Sequence, residues 1–360
     1  MWETRMIEGV RPCPREPVTR LINSTGHGTG KSNMKRVASV FVAFTLIAAF
    51  ASCACAQESF TLKIGCVLDA QHPVLFGLRR LAEVAEQESG GRLKLNIYPS
   101  SQLGGQREVL QNVQAGVVDG VVEATATLTN FVPQLGVVDL PYLAKDEATA
   151  YHMFDSPVFE QQLGGPASAA GFHLVQVWEV TFRNVYTRTR PINAIGDLKG
   201  LKLRVIPSPS YIALFRALGA APTPMAFGEI YTALQQGVID GAENDSVTYI
   251  TTKHIEVAPH IAITQHMMLA NTLFLSERLW QRLPDDLKEI IRRASLEGRK
   301  TVIAERTARN AKAMDEIRAA RATITQPDLA PFIAVGQQTY QELAQRLGPD
   351  LVERIVEATK

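Results

Sequence analysis

QNVQAGVVDGVVEA (Gln111–Ala124) and TALQQGVIDGAEN (Thr232–Asn244) are related stretches of one chain, and their likeness decides how the rest is read. Aligned on Gly116 and Gly237, they share Q-x-G-V-x-D-G. Each begins as an amphipathic helix, with Val109, Leu110 and Val113 on one face in the first and Ile230 and Leu234 in the second. Each helix stops at a glycine, the residue suited to the left-handed backbone just past a helix end. A β-branched pair follows, and Asp-Gly then turns the chain into a short strand. The same helix–glycine–strand device used twice predicts two α/β lobes of related design.

The flanking sequence extends both lobes. TLKIGCVL (61–68) and LKLNIYP (93–99) bracket a helix over Val74–Glu88, which predicts an opening βαβ unit. LKGLKLRVIPS (198–208) reads as a strand, with Leu201, Leu203 and Val205 on one face and Lys202 and Arg204 on the other. A helix over Tyr211–Leu218 follows and ends at Gly219. From Pro284 to about Ala320 the pattern is helical, with Leu287, Ile290, Ile291 and Ala294 on one face. A helix of that length, rising about 1.5 Å per residue, is long enough to run across both lobes.

The N-terminus carries a different message. TGHGTGKSNMKR (Thr25–Arg36) approaches a phosphate-binding loop, but the position five before Gly30 is Thr25 rather than glycine. The proline-rich stretch upstream also makes a poor central strand, so no nucleotide is expected. Lys35-Arg36, an apolar run over Val37–Phe50 and the small-x-small triplet Ala54-Cys55-Ala56 follow, in the order of a secretory signal. Residues 34–56 are therefore expected to be a signal peptide, and residues 1–33 to belong to an over-long start. Phe50-Ala51-Ser52-Cys53 approaches a lipobox with Phe in place of Leu, so a lipid anchor ranks below free periplasmic export.

Removal of residues 1–56 takes away seven of the 37 Lys/Arg and three of the 36 Asp/Glu, which leaves 30 against 33. That slight acidic excess lacks the basic surplus that phosphate-backbone contacts need, so no nucleic-acid partner is expected. Three of the four cysteines also go, leaving Cys66 within an apolar run, where it reads as a small core hydrophobe. An exported protein without a disulfide must rest on a conventional core.

In open α/β sheets ligands bind beyond the carboxyl ends of the strands, so two such lobes place a site in the cleft between them. The strand ends supply a coherent set. Glu123, Thr125 and Thr127 follow the first Asp-Gly; Glu243, Asn244 and Asp245 follow the second. Arg204 lies at the exit of GLKLRV and Arg183 in WEVTFRNVYT. Two guanidinium forks suit a carboxylate ligand. Asn244 offers an amide, Glu123 and the hydroxyls suit ligand hydroxyls, Phe227 and Trp178 offer apolar walls, and His72 completes the candidate set. Simpler readings stand beside these: a strand-end arginine is usually solvated, a tryptophan is more often core, and Glu243 and Asn244 fit a turn. The histidines show no metal-ligand spacing and the chain has no nucleophile motif, so neither a metal, a cofactor nor an enzymatic activity is expected.

The stretches SQLGGQREVLQNVQAGVVDG, NFVPQLGVVDLPYL, DLKGLKLRV, ALGAAPTPMAFGEIYTALQQGVIDGAEN and KHIEVAPH together resemble the solute-binding proteins of tripartite ATP-independent periplasmic (TRAP) transporters, over nearly the whole chain after the leader. The resemblance implies an α/β, two-lobed periplasmic-binding-protein-like fold with hinge strands and a long lobe-spanning C-terminal helix. It implies lobe I over 57–180 and 270–309 and lobe II over 181–269 and 310–360. It further implies an organic-acid ligand and a pair of membrane subunits, small and large, as partners. Residue by residue, Arg204 matches the carboxylate-clamping arginine, Arg183 the second arginine, Phe227 the aromatic beside the ligand and Asn244 the amide. Asp245-Ser246 stands where many members have proline, and WEVTFR lacks the glycine often found before Phe-Arg. The polar residues around the clamp (Glu123, Thr125, Asp245, Gln265 and His266) favour a hydroxylated acid such as a uronate. A C4-dicarboxylate or a 2-oxo or 2-hydroxy monocarboxylate is the alternative class.

Overall fold

The computed structural model describes residues 58–360. The expected leader at 34–56, the segment 1–33 and the cleavage point before Gln57 lie outside the described residues. The strands are β1 (Phe60–Cys66), β2 (Leu93–Tyr98), β3 (Gly120–Ala124), β4 (Phe172–Phe182), β5 (Asn184–Thr187), β6 (Lys202–Val205), β7 (Ala221–Pro224), β8 (Gly241–Asn244), β9 (His260–Ala262), β10 (Met268–Ser276) and β11 (Thr323–Thr325). They form two sheets, ordered β2-β1-β3-β10-β4 in lobe I and β11-β9-β5-β8-β6-β7 in lobe II. The helices used below are α1 (Pro73–Glu88), α2 (Gln106–Ala115), α3 (Pro209–Ala217), α4 (Ile230–Gln236), α5 (Ser246–Thr251), α6 (Asp285–Ala319), α7 (Ala330–Leu347) and α8 (Pro349–Glu357).

The repeated motif has the same geometry in both lobes. Gly116 and Gly237 end α2 and α4 with φ of 75° and 74°. The next acidic residue pins the strand that follows to its parallel neighbour. Asp119 accepts the Lys63 N–H at 2.8 Å and returns its own N–H to the Lys63 carbonyl at 3.1 Å. Asp240 repeats both bonds with Lys202, each at 2.8 Å. The glycine after the aspartate serves close approach: a Cβ on Gly120 would lie 2.5 Å from a Leu275 methyl, and one on Gly241 would lie 2.4 Å from the Tyr186 carbonyl oxygen. The sequence reading gave these residues a turn; the structure gives them strand pinning as well.

Each sheet is buried on both faces. In lobe I, Val121 and Phe274 face one cluster and Val122 and Leu273 the other. In lobe II, Val185 and Ala262 face one cluster and Tyr186 and Ile261 the other. Helices cover all four faces, the arrangement that a mostly apolar strand demands. Cys66 packs in lobe I as a buried free thiol.

Three kinds of connection cross between lobes. β4 runs into β5 with only Arg183 between them, and its backbone pairs with residues 266 and 267 on the return path from β9 to β10 (Arg183 N–H to Met267 O, 2.9 Å; His266 N–H to Arg183 O, 3.2 Å). The long helix α6 packs Leu287 to Val302 against lobe I and Ile317 into lobe II. Gly77 of α1 and Gly298 of α6 let these two helices touch backbone to backbone: a Cβ on Gly298 would lie 2.9 Å from the Gly77 carbonyl oxygen. Lastly, α7 crosses back, with Phe332 in a lobe II cluster and Leu343 in a lobe I cluster, and α8 adds Val352 and Ile355 to lobe I. The segment 310–360, expected wholly within lobe II, is thus divided between the lobes. The amphipathic α8 needs an apolar surface, and the helical layer of lobe I provides it.

Candidate functional site

The carboxyl ends of β3, β6 and β8 converge where the lobes meet, and they enclose about 470 Å³ of space including its mouth. Lobe I contributes His72, Gln106, Glu123 and Asn271; lobe II contributes Arg204, Phe227, Asn244, Asp245 and Thr248, with Arg183 at the hinge.

The two arginines are both buried and differ in what holds them. Arg183 directs Nε and Nη2 at the Glu243 carboxylate, with Nη2 to Oε1 at 2.9 Å. Its Nη2 also reaches the Glu243 carbonyl at 2.6 Å, and its Nη1 reaches Asn244 Oδ1 at 2.9 Å. Burial is the largest single influence and opposes this cation, but the Glu243 charge, Tyr211, the hydrogen bonding to Glu243 and Asp245 together outweigh it and raise its pKa. Burial likewise opposes the Glu243 anion, and Arg183 and His266 pull its pKa below the usual carboxylate range. The second guanidinium is left less complete. Arg204 places Nε and Nη2 on the Met225 carbonyl at 2.9 and 2.8 Å, and Nη1 has no hydrogen-bond partner. The Glu243 carboxylate stands 4.0 Å from that Nη1, beyond hydrogen-bonding reach. Burial dominates here and pushes the arginine down to about 10. On the sequence pattern Arg204 shares the polar face of its strand with exposed Lys202, but the strand end leads into the cavity and buries it.

The acidic groups also divide. Glu123 Oε1 accepts from the Ala124 N–H, from Gln106 Nε2 and from Thr127 Oγ1 at 3.0, 2.8 and 3.3 Å. Its Oε2 is buried without a partner, and burial raises its pKa. Asp245 caps α5 through the Thr248 N–H at 2.9 Å and meets Arg306 of α6 at 2.8 Å. Burial would raise its pKa, but Arg306 and Thr248 bring it down to about 2. Arg306 also reaches Glu179 at 3.3 Å, and Glu179 accepts from Asn271 at 2.6 Å, so a buried chain of polar groups backs the cavity.

The remaining expected residues fall in three places. His72 lines the cavity; its Nδ1 accepts the Val74 N–H at 3.3 Å, and burial lowers its pKa. Thr127 stands behind Glu123, and Thr125 is fully buried outside the cavity lining. Trp178, offered as a cleft wall, is instead a strut of the lobe I core: its indole N–H donates to Ser295 of α6 at 2.8 Å. An indole with one polar atom fits where a helix hydroxyl meets it, beneath the Gly77–Gly298 crossing. Gln265 lines a separate groove with Arg306 and Asn310. His266 Nδ1 is 2.8 Å from Thr264 Oγ1, and its Nε2 lies 3.5 Å from Glu243.

Gln106, Asn271, Thr248, Arg306 and Glu179 were not singled out from the sequence. They sit at a helix start, in mid-strand or in mid-helix, where nothing local marks a polar side chain as cavity-facing. Among the described residues, no cluster of three His, Cys, Asp or Glu is placed to hold a metal, and no helix is long and apolar enough to cross a membrane.

Comparison with known proteins adds independent findings. The family profile described as bacterial extracellular solute-binding protein, family 7, matches residues 64–347. The sialic acid-binding periplasmic protein SiaP of Vibrio cholerae is 31% identical over 322 residues, 89% of this chain and 99% of its own. A TRAP periplasmic solute-binding protein of Anaerococcus prevotii, solved with D-glucuronate, superposes with a TM-score of 0.80 at 27% identity, over 83% of this chain and 98% of its own. One from Sulfurospirillum deleyianum, solved with succinate, gives 0.78 at 27% identity, over 84% of this chain and 100% of its own.

Proposed function

The chain belongs to family 7 of the bacterial extracellular solute-binding proteins, the TRAP type, and from that premise we propose that it captures a hydroxylated organic acid by a carboxylate–Arg204 contact and closure of its lobes. Members of this family are substrate-binding transport proteins, so capture without turnover is the activity expected of it. One observation carries the proposal: a fully buried guanidinium that faces the cavity with Nη1 unpartnered. A buried cation with open donors calls for an anion. Because Met225 occupies the Nε–Nη2 edge, a carboxylate docks on the end formed by Nη1 and Nη2. Arg183 has a more structural part, since Glu243 and Asn244 engage most of its donors. Asn244 Oδ1 is taken by Arg183 and by the Asp245 N–H, which leaves its Nδ2 for the ligand.

The hydroxyl preference rests on Glu123. Its unpartnered Oε2 accepts a ligand hydroxyl, whereas a second ligand carboxylate meets it as a like charge. Sugar acids such as uronates fit that pair of poles, and Phe227 supplies the apolar wall. The relatives solved with glucuronate and succinate show that both ligand classes occur on this fold. Delivery goes to the small and large TRAP membrane subunits from the periplasm. Titration calorimetry of the exported protein with D-glucuronate, D-galacturonate, D-erythronate and succinate tests this reading. Tight, stoichiometric binding of a sugar acid with unchanged ligand recovered supports it. A preference for succinate reassigns the ligand class to dicarboxylates, and conversion of the ligand overturns the receptor reading.

A further inference from the structure

Gln106 is the first residue of α2 and is half-buried at the cavity. Its Oε1 accepts the backbone N–H of Phe227, in the other lobe, at 3.2 Å. Its Nε2 donates to Glu123 Oε1 at 2.8 Å and to Thr127 Oγ1 at 3.3 Å, both in its own lobe. A primary amide accepts only at oxygen and donates only at nitrogen, so the Phe227 N–H fixes which end faces Glu123. From this juxtaposition we propose that Gln106 is a closure latch, a positioning residue anchored on Glu123 and Thr127 in its own lobe that joins the other lobe through the Phe227 N–H when the two meet. The inference rests on the reading of the protein as an organic-acid receptor and deepens it.

The geometry separates the latch from a ligand contact. Once the lobes part, Phe227 N–H and Gln106 Oε1 both return to water, while the Nε2 bonds to Glu123 and Thr127 stay within lobe I and keep the amide oxygen turned outward. The cross-lobe bond therefore belongs to the closed state alone, and a bond made only there biases the equilibrium toward it. Its contribution is independent of which acid occupies the cavity. Phe227 is the apolar wall and begins a short turn closed by Glu229 on the Ala226 N–H at 3.1 Å, so the latch also holds that wall in register. A net neutral hydrogen bond corresponds to about two- to tenfold in an equilibrium. That factor belongs in the release rate, since capture begins in the open state.

Stopped-flow binding on the exported protein tests it, with D-glucuronate, D-erythronate and succinate as probes. Gln106→Met keeps the side-chain volume without the amide, and Gln106→Ala removes both. Both variants are expected to release every acid that wild type binds about two- to tenfold faster, by one common factor. The ligand-free melting temperature stays at the wild-type value, and the association rate rises only as far as the open fraction of the ligand-free protein does. An effect confined to one acid makes Gln106 a ligand contact and overturns the latch, as does an unchanged release rate. If wild type binds none of the acids, the receptor reading fails instead. In that case small-angle scattering of the ligand-free proteins still decides the latch: Gln106→Met should have the larger radius of gyration, and equal radii overturn it.

Discussion

Replacing each buried arginine with methionine should have different consequences for the empty protein, although both residues line one cavity. Arg183 carries the Glu243 carboxylate, which is itself fully buried. Arg183→Met leaves that carboxylate with only the distant Arg204 Nη1 at 4.0 Å and His266 at 3.5 Å. Breaking a buried pair by removing one partner costs about 3–5 kcal/mol. At about 2 °C per kcal/mol for a domain of this size, the unliganded melting temperature should fall by roughly 6–10 °C. Arg204 stands differently. Its pKa is pushed down to about 10, chiefly by burial, so the empty site disfavours the cation. Removing it relieves that penalty but strips the Met225 carbonyl of its two donors, a loss of about 1–3 kcal/mol. The two effects oppose each other, so unliganded Arg204→Met should lose much less melting temperature than Arg183→Met. Binding should collapse all the same. A ligand carboxylate left unpaired in the closed cleft costs about 3–5 kcal/mol, a loss of roughly 150- to 5,000-fold in affinity. Arg204→Lys, a point charge without the fork, should lose about 10- to 150-fold. Differential scanning calorimetry of the unliganded variants, paired with titration calorimetry, reads both effects. Equal destabilisation by Arg183→Met and Arg204→Met would refute the reasoning and make both arginines structural.

Acid should weaken the fold through Asp245. Its pKa is depressed to about 2, so its stabilisation is present above the ordinary carboxylate value near ~4 and is lost as pH falls toward 2; Asp245→Asn should flatten that part of a stability–pH profile measured by urea unfolding. Trp178→Phe removes the bond to Ser295 and should lower stability by about 1–3 kcal/mol without changing ligand affinity; a loss of affinity would return the indole to the cleft. Gly241→Ala forces a Cβ against the Tyr186 carbonyl, so β5 and β8 must part, and about 1–3 kcal/mol or more of stability should disappear in thermal melts, whereas Gly196→Ala, with open space at its Cβ, should melt like wild type.

Local order in this chain was written in local sequence. The two Q-x-G-V-x-D-G stretches specify a helix, a left-handed stop and a strand start locally, because the glycine past each helix end acts on its own backbone, whereas the hold of Asp119 on Lys63 and of Asp240 on Lys202 is a tertiary contact that the stretches alone did not show. The long helix was legible for the same reason: its apolar stripe repeats at the helical period. Arg204 and Asn244 were legible as candidates because a strand end in an α/β lobe has a known outlook, toward the cleft. What the side chains do there was not legible. That Arg183 is consumed by Glu243 while Arg204 keeps Nη1 open depends on a crossing of β5, β6 and β8 from three separate parts of the chain. Trp178 lies in a strand whose neighbours on either side read alike, and only the packing of α6 over one face sends the indole into the core. Gln106 met Phe227, 121 residues away, and Arg306 met Asp245 only because the lobes face each other and one helix passes behind both. Periodicity and turn chemistry are one-dimensional and survive in the sequence. The pairing of buried charges is a matter of which strand ends fold together, and the tertiary structure alone decided it.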